Sequence, residues 1–592
     1  MNQIRLRIKN LRMEMLKNNL DAYYISGTDP HMSEYLPERW KTREFISGFT
    51  GSAGTIVVTQ EDAGLWTDSR YFIQAEEQLK GSGIKLFKQR IPNAVEPEEW
   101  LSNKLKAASK VGFDPCSISV NNYRKLKSEL DKKAIQCSET TDLLDKIWSD
   151  RTEIPDNPVF ELNVKLTGYS RKEKKEMLLT ELKKEGADLQ IITALDELAW
   201  LFNLRGSDIS YNPVFTGFGI ISRAESILFT DSKKIPEDVF LHLAKDRIEI
   251  REYDEFYSWL KGIKNKTILL DASSANYAVF KNLQDENRIK EGTSKAALLK
   301  AQKNEAELSG FKTAMKKDGA ALVEFLYWLK NEIETSEIDE YTAGLKLSGF
   351  RAQQENFIDE SFSPIFGYKS HGAVVHYSAT PENAFKLEKD GILLFDSGGQ
   401  YLEGTTDITR TIALGKPTEK QKTDFTLVLK GMIALTNAKF PQGTKGCNID
   451  ILARQALWQN GLNYGHGTGH GVGHFLNVHE GPASIRQEYN PVELKPGMVF
   501  SNEPGMYREG EYGIRIENLI VCVRKEKTDF GDFLGFETLT LFPIDTSLIK
   551  NELLTNEEIN WLNDYHQKVF KELKPSLSKN LQVFLAELTE SV

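Results

Sequence analysis

The sequence predicts a mixed α/β protein with three domains, in which two similar α/β domains precede a larger third one. Two observations lead to this prediction: an internal repeat in the first half of the chain, and a cluster of acidic residues and histidines in the last third. Helical and β-rich segments alternate in both copies of the repeat, which is typical of α/β domains. At 592 residues the length alone would allow about four domains, but the repeat favours three.

Each copy of the repeat begins with a helical segment, at residues 11–19 and 172–184, and an apolar strand follows it. Two further β-rich segments come next, and the last of them ends in Thr-Asp-Ser, at residues 67–69 and 230–232. Polar stretches rich in Pro, Gly and Asn lie at 154–158 and 291–295, where domain boundaries are favoured. We therefore predict domains at 1–156, 157–295 and 296–592.

The third domain starts with a long helical pattern from residue 297 to about 335, whose broad apolar face is typical of core packing. Further helices are predicted at 424–438 and 450–460. The tail beyond residue 551 is polar and helical, and we expect it to pack on the third domain.

Composition excludes several classes of function. The net charge is −10 and charges of both signs are well mixed, so no basic surface for nucleic acid is expected. The N-terminus lacks the continuous apolar core of a signal peptide, and no run of about 18 apolar residues predicts a membrane span. The four cysteines are far apart without metal-binding spacing, which favours reduced thiols and a cytoplasmic protein.

Two aspartates lie in segments that are suited to holding a metal. Asp396 ends an apolar run, and Asp407 follows eleven residues later, after the turn signal Gly398-Gly399. This spacing predicts a hairpin with one carboxylate on each strand.

Three further candidate ligands follow. His470 lies in a glycine-dense segment, in which the missing side chains let the backbone approach a ligand closely. Glu503 follows an apolar run and precedes Pro504-Gly505, while Glu517 alternates with apolar residues as in a strand. All five candidates are thus predicted at strands or strand ends, which hold functional groups rigidly.

The donor types indicate which metal would bind. Four carboxylates and one imidazole form a hard, oxygen-rich set that suits Mn²⁺ better than a structural zinc ion. A formal charge of about −4 balances two divalent cations. Two such ions about 3.5–4 Å apart can activate a shared water, the basis of metal-assisted hydrolysis. Any one acid could be structural, but six of the nine histidines fall within residues 371–479, and core packing does not explain that density.

Seven sequence strings resemble those of the "pita-bread" metallopeptidases of family M24, specifically the three-domain, cytosolic aminopeptidase P type. The strings are Val375-His-Tyr, Asp396-Ser-Gly-Gly, Thr406-Asp-Ile-Thr-Arg, His466-Gly-Thr-Gly-His-Gly-Val-Gly, Val478-His-Glu-Gly-Pro, Asn502-Glu-Pro-Gly and Arg515-Ile-Glu-Asn. The resemblance extends over the whole chain. It implies two creatinase-N-like α/β domains followed by a pita-bread catalytic domain with helices outside a curved sheet.

The resemblance also implies a ligand set and a mechanism. Asp396 would chelate one metal, Asp407 and Glu517 would bridge both, and His470 and Glu503 would complete the other. A hydroxide that bridges the two Mn²⁺ ions would attack the peptide carbonyl. Glu503 would carry the proton to the leaving nitrogen.

The remaining implied residues would bind the substrate, a peptide whose second residue is proline. His376 and His479 would hydrogen-bond the substrate carbonyl or the developing oxyanion. His466 and Arg515 would lie near the pocket for the residue after the scissile bond, and Val478 would form an apolar wall. For Arg515 the alternative is to orient a carboxylate ligand. A homodimer is expected from the resemblance alone.

Three alternatives stay open. A dipeptide-specific prolidase would share all five ligands but usually has one N-terminal domain, so the duplication counts against it. Methionine aminopeptidase lacks both extra domains. A relative that has lost its metals and become a binding module or chaperone is disfavoured, because all five ligand positions are retained here.

Overall fold

The computed structural model describes residues 3–592, which fold into two compact units. The first unit ends at Leu162 and resumes over Tyr169–Ala297, and the second comprises Asn163–Gly168 and Leu298–Val592. All four cysteines are free thiols. Residues 3–592 contain no helix with the length and apolar character that crossing a membrane requires.

The first half of the first unit is built on a six-stranded mixed sheet. Its strand order is Lys85–Lys88, Ala63–Thr67, Thr55–Thr59, Ala22–Ile25, Lys110–Phe113 and Gln136–Glu139. Helix Gln3–Lys17 buries Ile8, Leu11 and Met15 in the core beside this sheet, because these positions recur at helical spacing. The other helices are Thr42–Ser47, Phe72–Gln78, Pro97–Lys104 and Val120–Asp131.

The second half of this unit repeats the same topology. Its strand order is Glu249–Arg251, Ser226–Phe229, Phe218–Ser222, Leu189–Ile192, Thr267–Leu270 and Arg288–Glu291. Its helices are Arg171–Glu185, Leu195–Leu201, Glu237–Lys245, Phe256–Leu260 and Tyr277–Leu283. Strand by strand, this order corresponds to that of the first sheet, so the predicted duplication of an α/β domain is confirmed.

Helices in the last part of the chain cover the predicted segments with shifted ends, and one further helix, Glu340–Arg351, was not predicted. The helices are Lys295–Ala301, Glu305–Glu332, Glu340–Arg351, Glu419–Thr436, Gly446–Trp458, Asn556–Leu573 and Lys579–Leu588. The pattern predicted as continuous from residue 297 is interrupted at 302–304 because Asn304 caps the next helix. The Asn304 side chain accepts from the Glu307 amide at 3.1 Å, and the Glu307 carboxylate accepts from the Asn304 amide at 3.0 Å.

The strands of the second unit form several small sheets. A three-stranded sheet has the order Ile365–Tyr368, Ile392–Ser397 and Ile408–Ala413. A six-stranded sheet has the order Lys439–Pro441, Gly531–Thr538, Asn518–Thr528, Val499–Asn502, Gly469–Gly471 and Glu480–Ile485. The shorter strands are Phe357–Glu360, Gly399–Tyr401, Gly404–Thr405, Gly505–Arg508 and Tyr512–Arg515. The predicted mixed α/β class is therefore confirmed.

Helix Glu305–Glu332 packs on the three-stranded sheet. Phe325 lies edge-to-face against Phe366 and Phe395, with ring centroids 5.7 and 5.8 Å apart. This packing fixes the strand that carries Asp396, and because side chains alternate along a strand, Asp396 lies on the other face from Phe395.

Candidate metal centre and active site

Two antiparallel strands bring the first two predicted ligands together. Asp396 lies in strand Ile392–Ser397 and faces Thr409 of strand Ile408–Ala413, and Asp407 directly precedes the second strand. The predicted strand pairing is present, although residues 399–405 between the two strands form two short strands of another sheet instead of a simple turn. Both carboxylates are largely buried.

The other three predicted ligands also lie at strands or strand ends. His470 is central in strand Gly469–Gly471, and Glu503 follows strand Val499–Asn502. Glu517 lies between strands Tyr512–Arg515 and Asn518–Thr528. Short strand pairings thus fix each backbone position, which is what a metal centre requires of its ligands.

The ligand atoms of Asp407, His470 and Glu517 all lie within 4.8 Å of one another. The His470 Nε2 atom is 3.4 Å from Asp407 Oδ2 and 3.6 Å from Glu503 Oε1. Four of the five predicted ligands therefore lie close together around the His470 imidazole. They are Asp407, His470, Glu503 and Glu517.

The hydrogen bonds of His470 leave this nitrogen suited to metal binding. Its Nδ1 lies 2.9 Å from the carbonyl oxygen of Gly471, which can only accept, so Nδ1 donates there and a neutral imidazole would present the Nε2 lone pair to a metal. The His470 amide donates to Ser501 Oγ at 2.9 Å, and that hydroxyl donates to Glu503 Oε1 at 3.3 Å. A histidine held in this way is typical of a metal ligand.

The electrostatics of the cluster test whether a metal fits. Burial and then the neighbouring carboxylates raise the pKa values of Asp407 and Glu517 well above the usual range. Burial also raises the pKa of Glu503, with Asp407 and Asp396 adding to the shift. The Asp396 Oδ1 atom is buried without a hydrogen-bond partner. Clustered, buried carboxylates with an unsatisfied oxygen fit divalent cations, whose charge would remove this repulsion.

Arg515 connects the cluster to a second group of side chains. Its Nη2 donates to Asp396 Oδ2 at 2.6 Å, and its Nη1 donates to the Tyr507 hydroxyl oxygen at 2.8 Å. The Tyr507 hydroxyl in turn lies 2.8 Å from His466 Nε2. Arg515 also donates from Nε to Thr409 Oγ1 at 3.1 Å. Since Arg515 is almost fully buried, the structure favours the alternative in which it orients a carboxylate.

Thr409 extends this network to a second predicted ligand, because its hydroxyl donates to Glu517 Oε2 at 2.8 Å. Arg515 is therefore hydrogen-bonded to one carboxylate directly and to another through one hydroxyl group. Side chains of this kind orient the ligands of a metal centre and tune their basicity.

The glycine-rich segment that carries His466 is held by a buried ion pair. Asp450 and Arg454, from helix Gly446–Trp458, are both nearly inaccessible, and Arg454 Nε donates to Asp450 Oδ2 at 2.6 Å. Arg454 also donates to the carbonyl oxygens of Tyr464 and His466, each at 2.8 Å. These contacts hold the loop in place. The sequence predicts the loop but does not indicate that Arg454 anchors it.

The remaining predicted residues border the cluster to different degrees. The His479 ring is nearly perpendicular to the His470 ring, with centroids 4.4 Å apart. The structure therefore brings these two histidines together. Val478 is completely buried, so it exposes no surface for the predicted contact with a substrate.

His376 lies in a turn after the short 3₁₀ helix Lys369–Ala373. The carbonyl oxygen of the preceding residue, Val375, lies 3.5 Å from Arg515 Nη2. The segment that carries His376 therefore meets the same guanidinium that holds Asp396.

Sequence reasoning missed Tyr507, Thr409 and the pair Asp450–Arg454. Tyr507 lies four residues after Glu503, and Thr409 two residues after Asp407, but such spacing in strands is too common to signal a function. An acid and an arginine four residues apart on a helix most often form an exposed pair. Only the fold shows that this pair is buried.

Comparison with known proteins places these features in a family. Residues 309–524 match metallopeptidase family M24, and residues 532–592 match the C-terminal region of peptidase M24. Residues 7–147 and 150–307 each match the creatinase/prolidase N-terminal domain.

Several proteins are similar to this chain over most of its length. A probable Xaa-Pro aminopeptidase P of Coprinopsis cinerea is 42% identical over 96% of this chain and 95% of its own. The crystal structure of X-prolyl aminopeptidase from Caenorhabditis elegans, described as a cytosolic enzyme with a di-nuclear active site, has a TM-score of 0.96 at 36% identity, covering both chains completely. An Xaa-Pro dipeptidase from Bacillus anthracis matches at 25% identity and a TM-score of 0.50, covering 64% of this chain and 99% of its own.

The duplicated creatinase-type domains and the carboxylate–imidazole cluster in a pita-bread domain define a metallopeptidase of family M24. The match to the fungal and nematode proteins covers nearly the whole chain, so it identifies the family within this class. The chain belongs to the aminopeptidase P family and is a metallo-aminopeptidase. Membership in this family implies two divalent metal ions, and the donor set described above fits them.

Proposed function

We propose that this enzyme is an Xaa-Pro aminopeptidase, which releases the N-terminal residue from peptides with proline in the second position. The observation that carries the proposal is the convergence of the predicted ligands and histidines in one unit of a chain that matches named Xaa-Pro aminopeptidases almost end to end. The dipeptidase from Bacillus anthracis matches only 64% of this chain, which disfavours the prolidase alternative.

The residues that would hold the two metal ions are Asp396, Asp407, His470, Glu503 and Glu517. We propose Mn²⁺, because hard carboxylate oxygens outnumber the single imidazole in this set. When bound, the two ions would supply an activated water and positive charge that stabilises a tetrahedral transition state. The hydrogen bond from Arg515 to Asp396 Oδ2 leaves Oδ1 available for a metal.

Glu503 is the proposed proton carrier. Its Oε1 lies 3.6 Å from His470 Nε2, and its Oε2 lies 3.9 Å from His466 Nδ1. The side chain is therefore between the ligand cluster and the histidine that would border the leaving group. Glu503 would take a proton from the attacking water and deliver it to the proline nitrogen.

His376 and His479 would donate hydrogen bonds to the substrate carbonyl and to the oxyanion that develops from it. His466, held by Tyr507, would border the proline residue, and Arg515 would act through Asp396 and Tyr507. Val478 directly precedes His479, and because its side chain is completely buried we propose that it supports this segment by apolar packing and does not contact the substrate.

Proline makes this bond a special substrate. Its tertiary amide has no N–H and its ring fixes φ, so general peptidases, which bind an extended chain through its N–H groups, act poorly on it. A rigid histidine loop beside the ligand cluster suits a ring of fixed shape.

We further propose that the domains are 1–156, 157–295 and 296–592, and that the enzyme is a cytoplasmic homodimer without nucleic-acid or membrane partners.

The test is a Mn²⁺-supplemented assay with Xaa-Pro-Xaa, Xaa-Pro and Xaa-Ala-Xaa peptides. We expect turnover of the first substrate alone, and a loss of about 10³-fold or more in kcat for Glu503→Gln, since proton transfer and one ligand are lost together. Glu509→Gln, an exposed carboxylate six residues away, is the matched control and should keep wild-type activity. An active Glu503→Gln variant would remove Glu503 from its role, and preferred cleavage of Xaa-Pro would favour a prolidase.

A further inference from the structure

A buried carboxylate in the second unit has an unusually complete set of hydrogen-bond donors. Glu340 lies in the first turn of helix Glu340–Arg351 and has no exposed surface. Its Oε1 accepts from the Tyr368 amide at 2.6 Å. Its Oε2 accepts from His371 Nδ1 at 2.8 Å, from the Tyr377 hydroxyl at 2.9 Å and from the Phe385 amide at 2.7 Å.

These four donors come from both sides of His376. Tyr368 and His371 precede it by eight and five residues, whereas Tyr377 follows it directly and Phe385 lies nine residues beyond. Glu340 therefore ties together the two halves of one segment, residues 368–385, which we call the His376 loop. No other part of the chain donates to this carboxylate among the hydrogen bonds described for residues 3–592.

Aromatic packing closes the same loop. The imidazole of His371 stacks on the Phe385 ring, with centroids 3.5 Å apart and an interplanar angle of 18°. It also packs against the Tyr377 ring at 4.4 Å. Burial and the charge of Glu340 raise the pKa of the Tyr377 hydroxyl, so this group stays protonated and remains a donor.

The loop held by Glu340 borders the ligand cluster. A Cβ atom added at Gly513 would lie 1.7 Å from the carbonyl oxygen of Gly372, so the loop packs directly on strand Tyr512–Arg515. Arg515, at the end of that strand, lies 3.5 Å from the carbonyl oxygen of Val375 and binds Asp396. A displacement of the loop would therefore move His376 relative to the metal ligands.

A buried carboxylate is costly unless its oxygens are well hydrogen-bonded, and an apolar side chain would fill the same space more favourably. The carboxylate does what an apolar residue could not, because its hydrogen bonds fix the directions of two backbone amides and two side chains at once. Active-site groups need such fixation to within about 0.5 Å.

We propose that Glu340 and His371 are a pair of positioning residues that hold His376 in the orientation needed to bind the substrate carbonyl. The proposal rests on the function proposed above for His376, and it assigns a role to His371, which is not among the site residues considered above. Neither residue touches the substrate, and both act through the shape of the His376 loop.

The variants Glu340→Gln, His371→Asn and His371→Phe test this pair. The amide nitrogen of Asn occupies about the place of the imidazole Nδ1, so His371→Asn keeps the donor and loses the ring, whereas His371→Phe keeps the ring and loses the donor. We expect Glu340→Gln and His371→Phe to lower kcat by about 10–100-fold, as for groups that orient active-site residues, with unchanged Mn²⁺ content. His371→Asn should stay within about threefold of wild type.

A matched control is Glu337→Gln, three residues before Glu340. Glu337 is exposed and pairs with Lys386 of the neighbouring segment at 3.0 Å, so its loss should leave kcat unchanged. The decisive measurement adds Glu340→Gln to a His376→Ala enzyme. If Glu340 acts through His376, the second substitution should cost less than about twofold in kcat/KM in that background.

Several outcomes would overturn the proposal. Equal losses from Glu340→Gln with and without His376 would show that Glu340 does not act through His376. An active Glu340→Gln enzyme beside an inactive His376→Ala enzyme would reject the pair but keep the proposed function of His376. An active His376→Ala enzyme would reject both. If Glu340→Gln does not fold, equal activities of the two His371 variants would still reject the pair.

Discussion

Arg515 shows how much one buried side chain contributes to the geometry of the ligand cluster. Its guanidinium binds Asp396, Tyr507 and Thr409 from three different nitrogens. The planar fork of Arg can serve three acceptors in fixed directions, whereas the single ammonium of Lys cannot. A charge-conserving substitution should therefore be damaging at this position.

We predict that Arg515→Lys lowers kcat/KM by about 10–100-fold, the range seen when a partner of a metal ligand is lost. The loss should be accompanied by weaker metal binding, since Asp396 would be less well oriented. Steady-state kinetics and a Mn²⁺ titration measure both effects.

The matched control is Arg508→Lys, in which a partly exposed arginine that forms two hydrogen bonds to Asp424 is replaced. This variant should bind Mn²⁺ like the wild type. Normal activity and metal affinity of Arg515→Lys would show that the fork geometry is not required.

At individual positions, the sequence indicates candidate ligands more clearly than it indicates the residues that hydrogen-bond to them. Asp396, Asp407 and His470 stand out because glycine-rich or apolar surroundings are unusual for acids and imidazoles. Tyr507 and Glu340 have no such signal, because what distinguishes them is contact with residues far away in the chain. Glu340, for example, meets Phe385, which is 45 residues distant. Such contacts depend on tertiary folding, which a local pattern does not encode.

At the scale of helices and loops, the ion pair Asp450–Arg454 anchors the glycine-rich loop to helix Gly446–Trp458. Arg454 also lies over the ring of Tyr464 at 3.8 Å from its centroid. The glycines of the loop contribute no side chains, so its shape depends on these contacts with the helix.

We predict that Arg454→Met destabilises the protein by about 3–5 kcal/mol, because it leaves Asp450 buried without a cation. Urea denaturation measures this change. Lys420→Met, which removes an exposed partner of Glu511, should cost no more than about 1 kcal/mol. Equal costs of the two substitutions would contradict the role of the buried pair. The double variant Asp450→Leu with Arg454→Met should be more stable than Arg454→Met alone, since no unpaired charge remains.

The sequence predicted the first helix of each repeat, the helical pattern after residue 297 and the helices near 424–438 and 450–460, because their apolar periodicity is strong, and it placed the five candidate ligands at strands or strand ends. Helix Glu340–Arg351 and shorter helices of the first unit, such as Val120–Asp131, were not predicted. The sequence also did not predict the break at residues 302–304 or the short strands between Asp396 and Asp407. Both features depend on a cap or on pairing with distant strands. The sequence of one repeat does not indicate the order of the strands in its sheet. The similarity of the two copies does imply that both sheets have the same strand order, as the structure shows.

For the protein as a whole, we expect the free energy of unfolding to depend on metal binding. Three buried carboxylates, those of Asp407, Glu503 and Glu517, have raised pKa values and are most stable in the metal-free protein when they are protonated. Because their pKa values in the folded state lie above those in the unfolded state, this contribution is present at low pH and is lost as the pH rises through the folded-state values. Divalent cations bind the deprotonated carboxylates and should replace the lost contribution.

We therefore predict that a chelator lowers the melting temperature at pH 8 more than at pH 5.5, and that Mn²⁺ restores it. At a free concentration of 100 times the Kd, one ion should add about 2.7 kcal/mol to the free energy of unfolding. Differential scanning calorimetry measures the shift, and hydrogen exchange should place the gain in protection within residues 298–592, which carry all the proposed ligands. Glu517→Gln should reduce the response to Mn²⁺, whereas Glu509→Gln should keep it. A gain in protection confined to the first unit, or an undiminished response of Glu517→Gln, would mean that the ion binds elsewhere than at the proposed centre.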